Sequence, residues 1–130
     1  MLDLGVFGHA YFELAIEEDY EGIRPSIVER LREQNGEPDW SKNCFGVKAG
    51  LDYAAWMENG WIFEHDPIGW FHWYMRFISG RRLGEHDEHQ IKRYSAYARW
   101  YSRAVKLKAE GKQSKVINQG LLQWAWPVVV

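Results

Sequence analysis

Arginines and carboxylates crowd the middle of the chain: Asp66, Arg76, Arg81 and Arg82, followed by Asp87, Gln90 and Arg93 three residues apart. Guanidinium groups hold phosphates and carboxylates through paired N–H donors. Arg76, Arg81, Arg82, Asp87, Gln90 and Arg93 therefore form the candidate binding set, and a nucleic acid or another polyanion is the ligand class they suit. Helical spacing puts Asp87, Gln90 and Arg93 on one face. The same residues can instead build an internal network that locks two helices, with Asp87 paired to Arg76 or Arg82.

Two other chemistries use neighbouring residues. Asp66, His65, His72 and Asp87 offer general acid–base groups, because histidine titrates near neutrality. His72 sits in an apolar run, where a satisfied core histidine is the plainer reading. His86, Asp87 and His89, with Glu85 and Glu88 beside them, offer metal ligands. Zinc takes a third and usually a fourth ligand, and this spacing matches no zinc motif, so no metal site is assigned. No serine elbow, glycine-rich phosphate loop or dinucleotide fingerprint is present, and no cofactor is implied. Cys44 is the only cysteine, has no base designated for it, and is expected to be buried rather than nucleophilic.

The element that must position these groups is a helix over residues 67–79. Asp66 is its expected cap, Pro67 its first residue and Gly80 its end. Ile68, Phe71, Met75 and Ile78 mark one face, and Trp70, Trp73, Tyr74 and Phe77 cover most of the rest. A helix apolar nearly all round is buried in a core or a membrane, and this one is shorter than the about 20 residues that a bilayer needs. It is therefore the central core helix. Arg76 is its only full charge. Its head either snorkels to the surface, meets a fixed partner such as Asp66 or Asp87, or holds an anionic ligand.

Around it the pattern predicts an all-α single domain of about five or six helices. A short helix begins near His9 with Tyr11, Phe12, Leu14, Ala15 and Ile16 inside. Glu17, Glu18, Asp19 and Glu21 then read as a solvated acidic face. A second helix runs from Arg24 to Asn35 with Ile27, Val28 and Leu31 inward, stopped by Gly36 and Pro38. A third spans Leu51 to Asn59 with Leu51, Ala54, Ala55 and Trp56 inward. The longest spans Glu85 to Glu110, with Ile91, Tyr94, Ala98, Tyr101 and Val105 as its apolar seam and Lys92, Arg93, Arg99, Arg103, Lys106 and Lys108 outside it. Ser114 caps a last helix carrying Val116, Ile117, Leu121, Leu122, Trp124 and Ala125, in which Gly120 permits close packing. Residues 127–130 are expected to be a loose tail.

The 130 residues suffice for one proper core. The net charge of −2 hides a polarity: residues 1–80 hold fourteen acidic against six basic side chains, giving −8, and residues 81–130 hold ten basic against four acidic, giving +6. The basic part suits a negatively charged partner, or faces the acidic part within the fold or within a homo-oligomer. The opening residues lack the basic start of a signal peptide, and no apolar run is long enough to span a membrane. A soluble, reducing, cytoplasmic setting is expected.

The pattern Trp56…Gly60-Trp61, Asp66-Pro67, Gly69-Trp70-Phe71, Trp73-Tyr74, Arg76-Phe77, Gly80-Arg81-Arg82, Asp87, Gln90-Ile91, Arg93 and Leu121-Leu122-Gln123-Trp124-Ala125 resembles an uncharacterised family of short proteins and domains associated with fungi, algae and large viruses or phages. The likeness covers roughly residues 40–126. It brings no activity with it. His89 stands where the family pattern has arginine and Tyr94 where it has tryptophan, which argues against essential chemistry at either position. The expectation is thus a small intracellular binding module for a nucleic acid or other polyanion. The alternatives are a structural or oligomeric protein-interaction domain and a small enzyme with an Asp/His/Arg site.

Overall fold

The computed structural model describes residues 16–32 and 40–130. After a 3-10 turn at Glu17–Tyr20 come α1 (Pro25–Arg32), a 3-10 turn at Trp40–Lys42, α2 (Tyr53–Glu58), α3 (Trp70–Ile78), α4 (Glu85–Ala96), α5 (Ala98–Ala109) and α6 (Lys115–Gln123). The described residues form no strand, only an isolated bridge between Phe63 and Asp66. The fold is all-α, and none of the described helices is long and apolar enough to cross a membrane. The helix expected from His9 and the stop at Gly36 and Pro38 lie outside the described residues.

The central helix α3 buries Trp70, Phe71, His72, Trp73 and Met75. With Ile68 it forms the core, against which Tyr20, Ile23, Tyr74, Phe77, Tyr94 and Trp124 pack. Ile78, expected inward, is 64% exposed. The helix begins three residues later than Pro67. Asp66 and Pro67 belong to two tight turns, closed by Asp66 N–H to Phe63 O and Gly69 N–H to Asp66 O, both 3.0 Å. Asp66 does not cap, because its carboxylate is held elsewhere. Gly69 occupies the cap position at φ 86° and ψ −157°, a region essentially restricted to glycine. A β-carbon there would meet the Trp56 ring at 3.0 Å, so the same glycine lets α2 dock. The far end is as the sequence predicts. Gly80 takes φ 106°, and the Gly80 and Arg81 amides donate back to the Phe77 and Arg76 carbonyls at 3.1 and 3.0 Å, a paired helix-ending bond pattern.

The predicted long helix is broken at Tyr97. The Tyr97 amide donates to Tyr94 O at 3.0 Å and the Trp100 amide to Tyr97 O at 2.9 Å, both bonds of the tighter 3-10 type. Side-chain stacking accounts for the break. Tyr97 lies 4.5 Å from Trp124, centroid to centroid, while Tyr94 stacks between Trp70 at 5.5 Å and Trp126 at 5.2 Å. The break turns α4 toward α3 and α5 toward α6. The inward row is consequently Tyr94, Tyr97, Tyr101 and Ala104, and Ile91, Ala98 and Val105 of the predicted seam are exposed.

At α2, Asp52 accepts the Ala55 amide at 3.0 Å and starts the helix. Leu51 therefore precedes it and is exposed, as is Ala54. Ser114 caps α6 through the Ile117 amide at 3.3 Å. Gly120 meets nothing within 4 Å of an added β-carbon, so it mediates no close packing. Nor is the end of the chain loose. Asn118, almost fully buried, donates to Val129 O at 3.0 Å and accepts the Val129 amide at 2.9 Å. The two glycines should respond oppositely in thermal melts. Gly69→Ala should cost about 1–3 kcal/mol, and Gly120→Ala should stabilise by up to about 1 kcal/mol. Equal responses would contradict these packing assignments.

Candidate functional site

Successive turns of α3 place His72 and Arg76 on one face, opposite the Glu17–Tyr20 turn. Asp19 accepts Arg76 Nε at 2.6 Å on Oδ1 and Nη2 at 3.0 Å on Oδ2, a two-pronged grip. Its Oδ2 also meets His72 Nε2 at 2.7 Å and the Ile16 amide at 3.0 Å. A second carboxylate, Asp66, has no exposed surface. It accepts Arg81 Nη2 at 2.6 Å and Arg76 Nη1 at 3.4 Å, and meets His86 Nε2 at 3.0 Å. Both arginines also donate to the His65 carbonyl. Arg76 thus joins two carboxylate hubs, each holding one arginine as a close partner and one histidine.

The remaining predicted residues serve other contacts. Asp87 accepts Trp73 Nε1 at 2.7 Å and the Leu83 amide at 2.5 Å. The expected pairing of Asp87 with Arg76 or Arg82 does not form, since neutral donors already take both of its oxygens. Arg82 lies over the Phe77 ring at 3.9 Å and donates to Phe77 O at 2.6 Å. Gln90 accepts Trp70 Nε1 on its backbone carbonyl at 3.3 Å and Arg93 Nη1 on its side chain at 2.9 Å. Arg93 also stands 5.0 Å from the Trp124 ring centre. The set does not converge on one surface: Arg76 and Arg81 meet at the hubs, while Asp87, Gln90, Arg82 and Arg93 brace the aromatic core.

Sequence reasoning gave Asp19 and His86 other roles, a solvated face and a metal ligand, and missed their place at the hubs. Asp19 is 6% exposed, not part of a solvated face, while its neighbours Glu17, Glu18 and Glu21 are exposed. The available signal was the unexplained charge of Arg76. The acid–base grouping is also rearranged, because His72 pairs with Asp19 rather than Asp66 or Asp87. His86 and His89 lie against the Phe63 ring, with centroids 4.7 and 5.7 Å away. No group of three or more His, Cys, Asp and Glu among the described residues could hold a metal ion. Cys44 is exposed, contrary to expectation.

The charges are tuned by burial against pairing. Burial pushes the Asp19 carboxyl up, but bonds from Arg76, Ile16 and His72 outweigh it and hold it below the ordinary 3.8. Asp66 behaves likewise, with Arg81 and His86 outweighing burial. For His72 burial dominates, and its partner Asp19 only partly offsets a fall below 6.5. His72 Nδ1 is buried without a hydrogen-bond partner. Protonation would place an unpaired N–H there, which is costly.

A second surface lies on α5. Arg99, Arg103 and Lys106 are exposed and make no ion pair among the described residues. Lys108 donates to Val130 O and Lys112 pairs with Glu110 at 3.3 Å. Among the aromatic residues of α5 and the neighbouring helices, Trp70 is buried and Tyr97 stacks on Trp124, but Trp100 is 39% exposed. The Arg99 guanidinium stands 5.9 Å from its ring centre. No protein family, no curated protein and no solved structure matches the chain.

The shifts set a pH response. The lowered His72 value favours the neutral imidazole in the folded state, so its contribution is complete above about 6.5 and is lost as pH falls through the folded value. Asp19 and Asp66 contribute above 3.8 and lose that contribution as pH falls through their lower folded values. Urea midpoints should therefore decline already between about pH 7 and about pH 5. His72→Gln should flatten that upper limb while keeping the acid limb. A flat wild-type profile across it would show that His72 is not held neutral.

Proposed function

We propose that this chain is a small helical module that binds polyanions through the outer face of α5. The observation that carries the reading is the row Arg99, Arg103 and Lys106, exposed on a helix without an acidic residue and unused by internal ion pairs among the described residues. The arginines of the α3–α4 turn support it less, because Arg81 is engaged by Asp66 and Arg82 by Phe77. The overall charge of −2 does not oppose it. Exposed charges more than about 8 Å away are largely screened at physiological salt, and Asp19, Asp66 and Asp87 are buried.

A protein partner or a second copy is favoured by a different feature. Tyr53, Met57 and Trp61 expose an apolar stripe along α2 and its end, the kind of surface that marks protein contacts when contiguous. The enzyme reading finds less support, since His72 and Asp66 have no exposed surface. Membership of the uncharacterised family and a cytoplasmic setting belong to this proposal and add no activity to it.

Anisotropy titrations with a labelled oligonucleotide at several salt concentrations test the reading. Arg99→Ala, Arg103→Ala and Lys106→Ala together should weaken binding and reduce the log–log salt slope by about 2–3, at 0.7–0.9 per lost phosphate contact. Arg81→Ala with Arg82→Ala should lower the melting temperature and leave the slope unchanged. Absence of wild-type binding at low salt, or an unchanged slope in the triple variant, would refute the α5 surface.

A further inference from the structure

We infer that the polyanion is a single-stranded nucleic acid, one base of which stacks on Trp100. The inference rests on the α5 reading above and names its ligand class. Trp100 is the one aromatic residue of α5 in the exposed class. Tyr101, one position on, is instead turned to the Trp126 ring at 5.8 Å. Trp100 therefore presents a large apolar ring beside the basic row, with the Arg99 guanidinium 5.9 Å from its centre and Arg103 one turn further along. Arg99 to Lys106 spans about 10 Å of helix axis, enough to follow a short length of backbone beside the ring.

The chemistry separates three polyanions. A polysulfated sugar offers charge but no flat aromatic base. A duplex hides its base faces in the stack and offers only edges, read by matched donors and acceptors in a major groove about 12 Å wide. Trp100 has a single N–H donor, and a stacked duplex leaves no base face for its ring to meet. A single strand offers both a regular phosphate charge and open base faces, and base–aromatic stacking holds it without sequence readout.

The experiment compares a labelled oligothymidylate, a blunt duplex and heparin against wild type, Trp100→Ala and Trp100→Tyr, each checked by thermal melting. The expected result is preference for the single strand. Trp100→Ala should lose about tenfold in affinity for it with heparin binding unchanged, and Trp100→Tyr should recover most of the loss. Equal affinity of Trp100→Ala for the single strand, or equal wild-type affinity for duplex and single strand, overturns the inference while leaving the α5 surface standing if the triple basic variant still loses binding. Failure of wild type to bind any of the three at low salt overturns both.

Discussion

The two-pronged bond between Asp19 and Arg76 is the contact on which the other arrangements depend. Removing a carboxylate and a guanidinium from water costs several kcal/mol per ion (order of magnitude). The protein offsets that cost by saturating both groups. Asp19 accepts from Arg76, His72 and the Ile16 amide, and Arg76 reaches on to Asp66 and the His65 carbonyl. Against a well-packed apolar set the net gain of such a network is small. Its effect is on geometry, because any other placement of the Glu17–Tyr20 turn would leave buried charge unpaired. The same demand draws Asp66 away from the start of α3, and Gly69 takes over as the first residue before the helix.

Aromatic stacking governs the other side of α3. Trp70 meets Tyr94 and Trp124, and Trp124 meets Tyr97. Ring faces and edges attract in these offset arrangements by about 0.5–1.5 kcal/mol beyond the area they bury. The stack fixes where α4 ends and α5 begins. By turning Tyr97 and Tyr101 inward it leaves Trp100, Arg99 and Arg103 on the outside. The proposed binding surface is thus a by-product of core packing, whereas the central arginines that first suggest a site are engaged by the chain's own carboxylates, carbonyls and rings.

What was legible in the sequence was whatever local chemistry decides. The apolar run around Trp70 and Trp73 marked the core helix, Gly80 marked its end, and Ser114 marked the start of α6. Contacts distant in sequence were hidden. Nothing near Asp19 separates it from Glu18, since its burial depends on Arg76, fifty-seven residues later. The break at Tyr97 follows from rings on α3 and beyond α6, not from a proline or glycine in α4. Gly120 looked like a packing glycine because periodicity shows where a residue lies on a helix and not what faces it. The lone charge of Arg76 in its apolar helix was a correct signal of buried partners: of the two expected, Asp66 does meet it at 3.4 Å and Asp87 does not, while nothing in the spacing pointed to Asp19.

The contact of Gly69 with Trp56 has a consequence for inheritance. The glycine is held by backbone geometry and by the indole resting on it, so these two codons are not independent. A smaller residue at 56 relieves only the crowding and leaves the backbone conformation unchanged. A lineage can therefore lose the tryptophan and keep the glycine at no backbone cost, whereas loss of the glycine carries its backbone cost whatever stands at 56.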